Sequence, residues 1–120
     1  MPHINTFEAH GLYRKFSGHV SGEEILESNF QLHRHPCFRK IRYVINDFSD
    51  ISSDSIEIDH TAAYATSDRI IAHAKGSLRV ALVVTQPSHH DLARHYREMM
   101  QGTHFSCEIF DQLAAAREWV

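Results

Sequence analysis

The residues with the widest chemical repertoire in this sequence are its 11 histidines. The densest groups are residues 33–35, with the sequence His-Arg-His, and residues 89–91, with the sequence His-His-Asp, followed by His95. Asp91 and His95 have helical i, i+4 spacing, so one helix face would present both as half of a metal site. A complete site needs a third ligand, and no His-Glu-x-x-His or comparable framework supplies one. We therefore interpret the histidines as surface residues and predict neither a metal site nor a cofactor.

A polar segment between residues 47 and 55 is the second candidate for chemistry. Its members are Asp47, Ser49, Asp50, Ser52, Ser53, Asp54 and Ser55. The segment follows a β-branched, aromatic strand, so we expect a loop at the carboxyl end of a central strand, where open α/β sheets usually bind ligands. Asp54 and Glu57 have the spacing of a capping box, which predicts that the next helix begins there. Two interpretations stay open: a loop that binds a partner or ligand, and a helix cap joined to a solvated loop.

Serine hydrolysis and the common modes of nucleotide binding are not predicted, because the sequence lacks their motifs. It has no Gly-x-Ser-x-Gly elbow for serine hydrolysis, and no Gly-x-Gly-x-x-Gly or Walker loop for nucleotide binding. We therefore predict no catalytic residues. The formal charge of −3 argues against nucleic acid as a partner, because phosphate binding needs a surplus of Lys and Arg.

The cellular compartment is predicted from the cysteines and from hydropathy. Cys37 and Cys107 lie far apart and lack Cys-x-x-Cys spacing, so we interpret them as reduced thiols. No apolar run approaches the roughly 20 residues of a membrane-spanning helix, and no signal peptide is present. These features predict a cytoplasmic protein that does not insert into membranes.

The elements that would position these residues alternate between strands and helices. Strands are predicted at residues 3–7, 12–17, 40–48, 78–85 and 105–110. Helices are predicted between Ser21 and Pro36, from Asp54 to Lys75, from Pro87 to Gly102 and over residues 112–119. The order β-β-α-β-α-β-α-β-α predicts one α/β domain over residues 1–120, with a hairpin and three right-handed crossovers. The sheet is therefore expected to be mixed and mostly parallel.

Four stretches of the chain resemble a known family. They are FSGHVSGEE at residues 16–24, YVINDF at 43–48, LRVALVV at 78–84 and FDQLAAAREW at 110–119. Together with the element order and Asp47 at the end of the third strand, they resemble the STAS fold, named for sulfate transporters and anti-sigma-factor antagonists. More narrowly, nearly the whole chain is similar to SpoIIAA-like bacterial proteins of uncharacterised function. The resemblance implies a STAS/SpoIIAA-like fold and a regulatory role without catalysis.

The resemblance also implies a serine switch. In anti-sigma-factor antagonists, a serine at the start of the helix after the third strand is phosphorylated, and the phosphate releases the partner protein. The matching positions here are Ser52, Ser53 and Ser55, without the glycine of the family's Asp-Ser-Ser-Gly or Asp-Thr-Ser-Gly pattern. Free N–H groups at a helix N-terminus favour a phosphate, whereas Asp50, Asp54 and Glu57 would repel it.

One face of the sheet is left without helices if the strands follow one another in space, as the resemblance implies. This second face would carry Arg42 and Arg79, with Glu108 as a cross-strand partner of Arg79. We expect the face to be partly exposed or to form a homodimer contact. A solvated face with an ordinary ion pair is the alternative interpretation.

The leading hypothesis for function is a non-enzymatic STAS-like module that binds another protein or a ligand through residues 47–55. One alternative is a carrier of a small apolar molecule or lipid, because the similarly built CRAL-TRIO domains bury a lipid, although this chain is too short to enclose a large one. The other is an enzyme of unfamiliar type that uses His60 or His89 with Asp47. Such an enzyme would need a concave pocket with convergent polar groups.

Overall fold

Five strands form one sheet in the order of the chain. A computed structural model describes residues 3–120. The strands are β1 (His3–Phe7), β2 (Gly11–Ser21), β3 (Tyr43–Ser55), β4 (Leu78–Val83) and β5 (Phe105–Phe110), and each pairs with the next. β1 runs antiparallel to β2, whereas the other neighbouring pairs are parallel. This mixed, mostly parallel sheet confirms the predicted fold class.

Three helices connect the parallel strands and cover one face of the sheet. They are α1 (Gly22–Arg34), α2 (Ile58–Lys75) and α3 (Pro87–Met99). Their inward side chains form the main core with alternate residues of the strands, such as Leu12, Val80 and Phe105. Within residues 3–120, no helix combines the length and hydrophobicity needed to span a membrane.

The start of α1 confirms the first predicted capping box. The backbone N of Glu24 donates to Ser21 Oγ at 3.1 Å, and the backbone N of Ser21 donates to Glu24 Oε2 at 2.9 Å. The helix ends at Arg34, two residues before Pro36, because the proline ring cannot continue it. A short 3₁₀ helix, Pro36–Arg39, then delays the start of β3 to Tyr43, three residues later than predicted.

β2 and β3 are both longer than the sequence predicts. Their pairing continues as far as Ser21 opposite Ser55, through two register shifts, and Gly18 takes a φ of +71° beside one of them. The predicted loop after Phe48 is therefore strand, because β2 supplies backbone partners that override the low strand propensity of Ser and Asp. The predicted capping box at Asp54 is also wrong: α2 begins at Ile58, with Glu57 at the N-cap.

The other face of the sheet is covered by the last helix, α4 (Leu113–Trp119). Its fully buried Ala116 packs against Ile45, Ala81 and Val83 in a second, smaller core. Arg117 ties the helix to the hairpin, since its two terminal nitrogens donate to the Glu8 carboxylate at 2.6 and 2.8 Å. This seven-residue helix covers only part of the face, because Arg79 and Glu108 on the same side of the sheet stay exposed.

Candidate functional site

The predicted contact segment lies in β3, and its side chains divide between the two faces of the sheet. Asp47 shares the α4 side with Ile45 and is buried. Tyr13 Oη donates to Asp47 Oδ2 at 2.5 Å, while the backbone N and Oγ of Ser49 donate to Oδ1 at 3.0 and 2.6 Å. Burial opposes ionisation of Asp47, but these hydrogen bonds outweigh it and lower the pKa of the carboxyl. Asp47 is thus an acceptor whose oxygens are already engaged.

Residues 17–21 of β2 and 50–55 of β3 extend past the end of β4, and we call this two-stranded extension the ribbon. Ser52, Ser53 and Ser55 are exposed on it. Ser53 Oγ lies 2.8 Å from His19 Nδ1, and Asp50 forms an exposed ion pair with Lys15 at 2.8 Å. The three serines precede the start of α2 by three residues or more, so none of them caps that helix.

Asp54 points to the side covered by α1–α3, where it contacts a histidine. Its Oδ2 lies 2.7 Å from His89 Nε2, and its Oδ1 accepts a hydrogen bond from the backbone N of Ile56 at 3.0 Å. Burial opposes ionisation of Asp54, but the bonds from His89 and Ile56 outweigh it and lower the pKa of the carboxyl. His89 is only 5% exposed, and its buried Nδ1 has no hydrogen-bond partner within residues 3–120.

His89 belongs to the wall of a cavity between α1–α3 and the sheet. The cavity has a volume of about 100 Å³. Most of its wall is apolar, with Leu32 from α1, Val80 from β4 and Ala93 from α3 among the contributors. Its polar members come from several elements and include Arg14, His33, Asp68, His89 and Tyr96. The cavity is therefore an apolar chamber with a few convergent polar groups, as small-molecule sites usually are.

Arg14 of β2 is the most deeply buried charged group in this wall, at 3% exposure. Its Nε donates to Asn46 Oδ1 at 2.9 Å, one terminal nitrogen donates to Ser28 Oγ at 2.8 Å, and the other donates to Asn29 Oδ1 at 2.7 Å. All three acceptors are neutral. Burial lowers the pKa of Arg14 to about 10, against the attraction of Asp68. The guanidinium therefore stays charged at neutral pH.

Asp68 of α2 is the acidic member of the wall, and its two oxygens are engaged separately. Tyr96 Oη donates to Asp68 Oδ2 at 2.5 Å, and His33 Nε2 lies 3.2 Å from Oδ1. Burial is the main cause that raises the pKa of Tyr96 well above its ordinary value, followed by the charge of Asp68. The phenol therefore stays protonated and serves as a donor.

Neither Arg14 nor Asp68 is among the candidate residues of the sequence analysis, although a weak signal exists for each. Arg14 alternates with Leu12 and Phe16, so strand periodicity places it on their buried face. Asp68 lies one helical turn from Tyr64 and Ala72 on the inward face of α2. A charged residue at a periodic core position is the pattern that could have identified the site.

The remaining histidines are dispersed over the structure, and several of them have structural partners. His60 Nδ1 accepts a hydrogen bond from the backbone N of Glu57 at 2.9 Å, and His95 Nδ1 lies 2.6 Å from Thr61 Oγ1. Asp91 pairs with Arg94 and not with His95. Across residues 3–120, no three His, Cys, Asp or Glu side chains gather as metal binding requires. The suggested pairing of His60 or His89 with Asp47 is wrong, because Asp47 lies on the opposite face of the sheet.

The predicted interface residues Arg42, Arg79 and Glu108 are exposed, but they do not form the expected set. Arg79 is paired with Tyr43 in the sheet, so Arg42 does not share its side. One Arg79 nitrogen donates to the Trp119 carbonyl at 2.6 Å, and Glu108 lies 3.7 Å from Arg97. The proposed Arg79–Glu108 pair is therefore wrong, while a homodimer contact through these residues stays a prediction.

Comparison with known proteins agrees with this architecture. No family model matches the sequence, and no curated protein is significantly similar to it in sequence. The anti-sigma factor antagonist SpoIIAA in its unphosphorylated form superposes with a TM-score of 0.64 at 8% identity, over 97% of this chain and 94% of SpoIIAA. An uncharacterized DUF3478-family protein with a SpoIIAA-like fold, from Shewanella loihica PV-4, superposes with a TM-score of 0.52 at 17% identity, over 98% of this chain and 90% of its own. The chain therefore has a STAS/SpoIIAA-like fold, which confirms the resemblance noted in the sequence.

Proposed function

We propose that this protein is a non-enzymatic binding module that holds a small, mainly apolar molecule in the cavity between α1–α3 and the sheet. The observation that carries the proposal is the cavity itself, with its apolar wall and converging polar groups. His89 supports it, because buried polar atoms in native proteins nearly always have a partner, and its Nδ1 has none within residues 3–120.

The cavity volume limits the size of the ligand. An engineered cavity of about 150 Å³ binds benzene, so a cavity of about 100 Å³ holds about six non-hydrogen atoms at most without adjustment. A ligand of up to about nine non-hydrogen atoms requires the wall to widen. A long-chain lipid would not be enclosed. Of the two carrier alternatives, a small-molecule carrier is therefore favoured over a lipid carrier.

The polar contacts around the cavity support binding without catalysis. A nucleophilic mechanism requires a hydroxyl or thiol within hydrogen-bonding reach of a base. In the described chain, the base that Asp54 orients, His89, has no such group at its Nδ1. Thr61 of the cavity wall lies 2.6 Å from His95 Nδ1, but its hydroxyl donates to the Ile58 carbonyl, so the hydroxyl proton is not directed to that histidine. Tyr96 is directed to Asp68 and Tyr64 to the carbonyl of Gly22, so both phenols have structural partners.

Calorimetric titration with toluene and with indole tests the proposal. We expect at least one of them to bind wild-type protein, and Ala93→Leu to abolish binding, because the larger side chain fills the cavity from α3. Ala115→Leu, at an exposed position of α4, is the matched control and should bind as the wild type does. Absence of binding by the wild type, or equal binding by both variants, would refute the proposal.

A second candidate function is contact with a partner protein through the ribbon. It is favoured by the exposure of Ser52, Ser53 and Ser55 on a segment that β4 does not flank. The STAS-like fold supports it by analogy only, since SpoIIAA is an anti-sigma factor antagonist.

Affinity capture from native lysate tests this second candidate. A variant with alanine at Ser52, Ser53 and Ser55 should lose proteins that wild type retains, whereas Ser106→Ala, exposed on β5, should keep them. Capture of the same proteins by all three forms would remove the ribbon as a contact surface.

A further inference from the structure

The contacts of Arg14 indicate the charge of the ligand. This inference rests on the function proposed above. A guanidinium has five N–H groups. Three of them donate to Asn46, Ser28 and Asn29, so two remain for another acceptor. Among residues 3–120, no carboxylate lies within ion-pairing distance of this guanidinium.

The one acid in the same wall does not neutralise Arg14 by contact. Asp68 is held by Tyr96 at 2.5 Å and faces His33 at 3.2 Å, so both of its oxygens are already engaged. Arg14 and Asp68 both line the cavity, and no ion pair joins them. Removal of a charge from water is unfavourable unless another charge compensates for it.

The neutral partners of Arg14 fix its orientation. Three separate nitrogens of the guanidinium donate to Asn46 of β3 and to Ser28 and Asn29 of α1. The planar group therefore cannot rotate away from the cavity wall. Each terminal nitrogen keeps one N–H group, and a carboxylate is the planar anion whose two oxygens can accept from both. Burial excludes competing water, which strengthens the interaction.

We propose that the cavity selects a small carboxylate with an apolar body, and that Arg14 binds the carboxylate group. The apolar wall, with Leu32, Val80 and Ala93, receives the body of the ligand. Short branched carboxylic acids of about six non-hydrogen atoms have the required size, and aromatic acids such as benzoate enter when the wall widens. They are anionic at neutral pH, as the charge of Arg14 requires.

Titration with benzoate and nitrobenzene tests this inference in the wild-type protein alone. The two molecules have nearly the same shape, but only benzoate is charged. We expect benzoate to bind about tenfold more tightly or better at pH 7.5, as a charge-assisted hydrogen bond predicts. Equal affinities, or tighter binding of nitrobenzene, would overturn the anion inference and leave the cavity function intact. If neither molecule binds, the proposed cavity function fails together with the inference.

Substitution of Arg14 supplies the second test. In Arg14→Gln, the preference for benzoate should disappear, while Arg34→Gln, exposed on α1, should keep it. Circular dichroism establishes whether Arg14→Gln is folded. If it is not folded, the affinities of the wild-type protein for benzoate and nitrobenzene alone test the anion inference. A folded Arg14→Gln protein that retains the preference would overturn the role of Arg14.

Discussion

The two faces of the sheet are built on different principles. The face beneath α4 is a small apolar core in which Ile45, Ala81 and Ala116 are completely buried. Its buried acid, Asp47, has hydrogen bonds on both oxygens from Tyr13 and Ser49, and its Glu8–Arg117 contact lies at the rim. The face beneath α1–α3 has a larger core, but Arg14 and Asp68 are buried within it beside a cavity.

The comparison distinguishes apolar packing, which stabilises the fold, from buried charged groups and a cavity, which do not. Burial of apolar surface is sufficient to hold a helix on a sheet, as α4 shows. Buried ionisable groups and cavities both lower stability relative to a well-packed apolar core. The face beneath α1–α3 combines buried charged groups with a cavity that they line, and this combination is better explained by binding than by folding.

Arg14→Met should have the largest effect on stability. It leaves Asn46, Ser28 and Asn29 buried without their donor, which costs about 3 kcal/mol of unfolding free energy. Urea denaturation measures the change. Arg79→Met, an exposed position on the opposite face, is the control and should lose about 0.5 kcal/mol. Similar losses at the two positions would erase the distinction between the faces.

Trp119→Ala should have an intermediate effect that is confined to the α4 side. The half-buried indole lies 5.8 Å from the Phe110 ring and beneath the Arg79 guanidinium, so its removal costs about 1–2 kcal/mol. Thermal denaturation measures the loss. The ratio of benzoate to nitrobenzene affinity should not change, and a change would show that the two faces are coupled.

Asp47→Asn should reduce stability in a pH-dependent manner. Because the folded-state pKa of Asp47 lies below its ordinary value of 3.8, its contribution is complete above that pH and is lost as the pH falls through the folded value. We expect a loss of about 1 kcal/mol at neutral pH that becomes smaller as the pH falls below 3.8 and the carboxyl takes up its proton. Urea denaturation across this range checks the trend. Asp59→Asn, exposed on α2, is the control, and parallel pH profiles for wild type and Asp47→Asn would contradict the assignment.

Glu8→Gln should have the smallest effect. The hydrogen bonds from Arg117 lower the pKa of Glu8, but the Arg117 side chain is 39% exposed, so solvent screens the pair. We expect a loss below about 1 kcal/mol that decreases further in high salt. A loss as large as that of Arg14→Met would mean that the rim, and not the apolar core, holds α4 in place.

The sequence is sufficient to predict those strands and helices whose patterns depend only on neighbouring residues. The apolar run of β4 and the Ser21–Glu24 capping box depend on neighbouring residues, so both were predicted. The strand at residues 49–55 was not, because Ser and Asp have low strand propensity and its pairing partner is distant in the sequence. Local composition cannot reveal a partner that the fold supplies.

The candidate site was less predictable than the fold for the same reason. Periodicity places its defining residue, Arg14, on the buried face, but the partners that satisfy its charge there, Ser28 and Asn29, are supplied only by the fold. The pairing of His89 with Asp54 joins residues that are 35 positions apart. Asp47, which the sequence favoured, instead serves the packing of the opposite face.

Methyl-detected NMR during titration with toluene tests the central claim, that the face beneath α1–α3 is the binding face. We expect chemical-shift changes at cavity methyls such as those of Leu32, Val80 and Leu82. The methyls beneath α4, Ile45 and Val83, should stay unchanged. Changes confined to the α4 side, or the absence of any saturable change, would contradict the claim.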